Sequence, residues 1–105
     1  MATNVELVVE ALGDPSRRAI VTMLSERPAS VTAIADALPV SRPAVSQHLA
    51  VMREVGLVSE TRSGRQRRYR LHREPLEDVR LWLVNLDLFW AERLGRLAEH
   101  LDGAL

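Results

Sequence analysis

The 105-residue chain contains no cysteine, which excludes disulfides, thiolate metal sites and cysteine nucleophiles together. Lysine is missing too, so all fourteen cationic side chains are arginine, whose planar fork suits phosphates and base edges better than an ammonium does. No apolar run approaches the roughly 18 residues of a membrane span; the stretch 79–90 is interrupted by Arg80, Asn85 and Asp87. The opening residues carry neither the basic region nor the apolar run of a signal peptide. A soluble, cytoplasmic protein is the expectation. Net charge is also lacking, because fourteen acids balance the arginines, whereas a DNA-binding domain is expected to have a pI above about 9.

What the total hides, the distribution restores. Between residues 41 and 73 stand eight arginines, at positions 42, 53, 62, 65, 67, 68, 70 and 73, against only Glu54 and Glu60, a local charge of +6. The rest of the chain carries −6.

The length fits one domain. Helix punctuation is legible along it. Residues 5–12 read as a short helix closed by Gly13, and Asp14-Pro15 supplies a cap followed by proline at the first helical position. That second helix runs to about Glu26. Ser30 caps a third, with Val31, Ile34, Ala35 and Leu38 at i, i+3, i+4 and i+7. Ser41 caps a fourth, which has Pro43 in its first turn and stops at Gly56. Two short helices joined this way form a helix-turn-helix. The period then alternates: residues 57–62 and 67–72 flank Ser63-Gly64-Arg65-Gln66 as a hairpin, with Tyr69 and Leu71 on one face and Arg68, Arg70 and His72 on the other. Pro75 opens a final helix reaching about Leu101. The fold class is therefore mainly α with a small β-hairpin, a winged helix-turn-helix of about five helices, over residues 1–105.

On the fourth helix Val45, Leu49 and Met52 share one face, leaving Arg42, Pro43, Ser46, Gln47 and Arg53 on the other. Arginine pairs with guanine and glutamine with adenine in a major groove, so Arg42, Ser46 and Gln47 are candidates for base contact, and Ser41 for a cap or phosphate contact. Arg62, Arg65, Gln66, Arg67, Arg68 and Arg70 of the hairpin suit phosphates or a minor groove. His48 reads as a hydrogen-bonded packing residue and His72 as surface. His100, beside Glu99 and Asp102, is too sparse a group for a metal site. Glu77 and Asp78 diverge by about 100° on a helix and make no catalytic carboxylate pair. The chain reads as neither an enzyme nor a protein with a cofactor.

The final helix carries Leu76, Val79, Leu83, Leu86, Trp90, Leu94, Leu97 and Leu101 at steps of three or four, a stripe suited to a partner helix. About 25 residues span roughly 37 Å, more than a domain of this size needs to cover itself. A twofold homodimer is expected, with Val5, Leu7, Val8 and Val9 contributing. Two reading helices about 34 Å apart would then meet successive major grooves. A small-molecule effector, if there is one, has Trp82, Phe89 and Trp90 as pocket lining at that interface.

The segments ALGDPSRRAIVTML, LPVSRPAVSQHLAVMREVGLV and RSGRQRRYRL, which lie between residues 11 and 71, resemble the ArsR/SmtB winged-helix repressors. The resemblance implies a dimer on an inverted repeat near promoters, with Arg42, Ser46 and Gln47 on the DNA-reading helix, residues 62–70 as the wing, and repression relieved by a signal. Relatives that sense metals carry cysteines in the third helix, where this chain reads VTAIADAL, or Asp/His pairs on the last helix, where it offers only His100. It is closer to the cysteine-free branch of SdpR-type autorepressors, which implies metal-independent repression of double-stranded DNA targets. The alternatives are an effector- or metal-responsive sensor and, from another class, a winged-helix module that binds proteins.

Overall fold

The computed structural model describes residues 4–103. In chain order the elements are α1 (Val5–Ala11), α2 (Pro15–Glu26), α3 (Val31–Ala37), α4 (Arg42–Glu54), β1 (Val58–Ser63), β2 (Gln66–Leu71) and α5 (Glu74–Gly103). This is the winged helix-turn-helix expected from the sequence. Each of the first four helices starts where a side-chain oxygen meets an orphan backbone N–H: Asn4 accepts from Leu7, Asp14 from Arg17, Ser30 from Ala33 and Ser41 from Ala44, at 3.0–3.3 Å. α4 ends in a Schellman arrangement, with Leu57 N–H donating to the Met52 carbonyl at 2.9 Å and Gly56 N–H to Arg53 at 3.1 Å. Gly56, at φ +81°, is the left-handed residue that this ending needs.

The two strands pair antiparallel from Val58↔Leu71 to Ser63↔Gln66 around a two-residue turn. Gly64 is at φ +62° and Arg65 is not positive, the pattern of a type II′ turn, so the glycine is required. A third piece of sheet, not apparent in the sequence, anchors the hairpin: Ala29 bridges Tyr69 through two backbone bonds of 2.8 and 3.1 Å. The wing is thereby fastened to the exit of α2.

The core draws on almost every element of the body. Val8, Ile20, Ile34, Val45, Leu49, Met52 and Leu57 are fully buried. Val8 was expected at the dimer interface, but it is enclosed by its own chain: α1 is short and turns this residue inward, leaving Leu7 and Val9 outside. Leu76 and Val79, read from the sequence as part of the same stripe, also pack half-buried against this core. The stripe therefore divides, its first turn serving the body.

From residue 80 onward α5 is exposed. At 30 residues it is about 45 Å long, and it stretches the molecule to 71 Å with a radius of gyration of 19.1 Å, against about 13 Å for a compact domain of this length. Between residues 81 and 90 apolar side chains circle the helix almost completely, a pattern that belongs to buried helices. Beyond Trp90 they narrow to Leu94, Leu97 and Leu101. No helix of the described residues is long and apolar enough to cross a membrane.

Candidate nucleic-acid interface

α4 presents two faces of opposite character. Val45, Leu49 and Met52 lock it into the core, while Ser41, Arg42, Pro43, Ser46, Gln47, Ala50 and Arg53 are exposed. Ser41 is held as the cap, its hydroxyl accepting from Ala44 N–H at 3.3 Å. Beside this face rises the wing, across a groove of about 400 Å³ lined by Ser46, Ala50, Arg53 and Tyr69, among others. Reading helix and wing thus flank one open channel.

Residues paired across strands share a face, and this sorts the wing's arginines. Arg62 and Arg67 are direct partners on the face of Glu60 and Tyr69, next to α4, whereas Arg68 and Arg70 stand on the opposite face with Thr61 and Ser59. Arg65 occupies the tip. The arginines counted together in the sequence therefore do not share one face of the wing. Arg68 donates to Gln66 at 3.3 Å, and both line a cleft of about 860 Å³ over the end of α2 and over α3.

Sequence reasoning missed Glu60. Its carboxylate, in a side chain 19% exposed, takes Nη1 of Arg53 on one oxygen and Nε of Arg67 on the other, each at 3.3 Å. The signal was available: Glu60 is the lone acid between Glu54 and Glu74, two residues from Arg62 on an alternating strand. Its partner from α4 was not.

A second bracket supports the reading helix from behind. Arg17 donates through Nε to the Ala11 carbonyl at 2.6 Å, and its Nη1 lies 3.4 Å from Nδ1 of His48. On its other side, His48 Nε2 faces Asp14 Oδ2 at 3.9 Å. His48 is a packing residue of the kind read from the sequence. The Asp14 carboxyl is held below its ordinary value, chiefly by the Arg17 N–H bond and then by the nearby His48 and Arg17. His72, expected at the surface, is instead half-buried, because its Nε2 lies 2.7 Å from the Ser59 hydroxyl beneath the hairpin.

Trp82, Phe89 and Trp90 are about half exposed on α5. Phe89 and Trp90 meet edge to face at 5.7 Å, and Arg93 lies 4.5 Å over the Phe89 ring. One copy of the chain leaves these rings open, so a pocket there needs walls from a partner. Among the described residues no three His, Asp or Glu side chains gather as a metal-ligand group.

Known proteins share this arrangement. Residues 14–60 match the family described as bacterial regulatory protein, arsR family. The chain is 43% identical over 93 residues to the HTH-type transcriptional regulator Rv2034 of Mycobacterium tuberculosis, covering 89% of this chain and 84% of that one. It is 31% identical over 78 residues to the transcriptional repressor SdpR of Bacillus subtilis, covering 74% and 87%. Among solved structures, an ArsR-like transcriptional regulator from Rhodococcus sp. RHA1 superposes with a TM-score of 0.79 at 33% identity, covering 89% of this chain and 88% of that one. With a winged helix-turn-helix in the same order and these relatives over most of its length, the chain belongs to the ArsR family of bacterial regulatory proteins.

Proposed function

We propose that this regulator is a metal-independent transcriptional repressor that binds an inverted-repeat operator in double-stranded DNA as a homodimer. The observation that carries the reading is the exposed polar face of α4 set beside an arginine-bearing wing across one open groove. Arg42, Ser46 and Gln47 would read base edges while Ser41 and Pro43 approach the backbone beside Arg53, which pairs with Glu60. Arg62, Arg65, Gln66, Arg68 and Arg70 supply the wing's phosphate or minor-groove contacts, beside Arg67, which Glu60 holds at 3.3 Å. The relatives' names, a transcriptional regulator and a repressor, support the same activity.

The dimer is supported by α5. Eleven large apolar residues between 81 and 101 are 38–62% exposed, and full burial of each such side chain is worth about 1.5–3 kcal/mol. A second copy of the helix, with Val5, Leu7 and Val9 of α1 alongside, is the covering that places two reading helices on successive major grooves. Leu83, Leu86, Trp90, Leu94, Leu97 and Leu101 form its central stripe.

Fluorescence anisotropy of metal-free protein on DNA from its own upstream region, against a scrambled duplex across a salt series, tests the reading. Tighter binding to the upstream DNA, a steep salt slope and indifference to chelator are expected. Replacing Arg65, Arg67 and Arg68 with Glu should abolish binding while circular dichroism stays unchanged. Equal weak binding to both duplexes would turn the assignment towards a protein partner.

A further inference from the structure

We propose that Glu60 is a specificity-determining residue of this interface: by holding Arg53 and Arg67 on one carboxylate it withholds both from indiscriminate phosphate contact and fixes the wing against the reading helix. The inference rests on the DNA-binding reading above.

Three observations combine. The two arginines come from different DNA-facing elements, α4 and β2, and meet the two oxygens of a single side chain at 3.3 Å each. Glu60 itself is sheltered at 19% exposure, whereas Arg53 and Arg67 are 61% and 58% exposed. They remain reachable by phosphate. Finally, Arg62 lies directly opposite Arg67 on the same sheet face, an arrangement of like charges that is unfavourable without a counter-charge. Glu60 is the only acid between residues 54 and 74, and it occupies that face.

The consequence for recognition follows from counterion release. Affinity for DNA of any sequence grows with the number of cationic groups engaging phosphates. A complex on the wrong sequence must break both ion pairs to recruit Arg53 and Arg67, and gains only phosphate contacts in return. On the operator, the base contacts of Arg42, Ser46 and Gln47 hold the complex with both arginines left on Glu60, and a wing already set against α4 needs no further ordering. Glu60 thereby widens the gap between specific and non-specific binding.

The test uses the full chain and a random-sequence duplex, so that no operator need be known. Anisotropy titrations across a salt series compare wild type with Glu60→Gln, Glu60→Asp and Glu54→Gln. Glu54 gives the same charge change on exposed α4, and among the described residues it makes no ion pair with the wing. Freed arginines should tighten Glu60→Gln on random DNA about three- to tenfold at low salt and steepen the log–log slope by about one to two. Glu60→Asp, which keeps the charge but is too short to span both partners, should move the same way by a smaller amount. Glu60→Gln matching Glu54→Gln in affinity and slope overturns the proposal while leaving DNA binding intact. If Glu60→Gln does not fold, as judged by thermal melting, an unmoved Glu60→Asp slope overturns it equally. Wild type that binds no duplex even at low salt removes the DNA reading and this inference with it.

Discussion

In the winged body Val45, Leu49, Met52 and Leu57 are completely enclosed, while on α5 Leu88, Leu94 and Leu101, side chains of the same kind, stand 57–62% exposed. The two regions bury apolar surface by different means. The body closes within one chain because five helices and a hairpin surround a common centre. From residue 80 onward α5 is exposed, and its all-round apolar segment is left uncovered by the chain itself. Local hydrophobicity says that a residue wants cover; it does not say whose.

The sharpest way to break this contrast is to charge the open region. Leu86→Arg combined with Trp90→Arg should convert a dimer into a monomer in sedimentation velocity and lower operator affinity by about 10²–10⁴, the advantage that linking two sites confers. The body's circular dichroism should survive. A variant that stays dimeric would show that the exposed stripe is not the contact.

A quieter comparison sets Leu49→Ala against Leu94→Ala. The first leaves a cavity in a closed core and should cost about 2–5 kcal/mol, with a melting midpoint independent of protein concentration. The second should shift the midpoint only in proportion to dimer occupancy. Equal, concentration-independent losses would erase the distinction between the regions.

Within the body, smaller effects separate local from long-range support. Ser30→Ala removes one N-cap bond of 3.1 Å and should cost about 1 kcal/mol in denaturant unfolding. Asp14→Asn keeps a capping oxygen and removes only charge. Since the Asp14 carboxyl lies below its ordinary 3.8, its charge stabilises the folded state above that pH and ceases to do so as pH falls through the folded value. The variant should therefore melt below wild type at about pH 7 and converge with it as pH falls below the carboxyl's folded value, the smallest of these effects.

The positions of the helices and the hairpin turn were determined by sequence alone, because the bonds that set them join residues three to five apart: Asp14 to Arg17, Ser30 to Ala33, Ser41 to Ala44, Leu57 to Met52, and a glycine at 64 where the backbone must turn left-handed. Side-chain type and spacing suffice for such bonds. The exposed face of α4 was legible for the same reason, since the opposite face carries the apolar residues. Tertiary structure alone decided that Val8 belongs to the body and not to a partner, that Ala29 fastens Tyr69, that Arg17 reaches a histidine 31 residues away, and that Glu60 gathers one arginine from the helix and another from the wing. Those contacts join elements whose relative placement is fixed only when the core closes, and no periodicity along the chain encodes the distance between them.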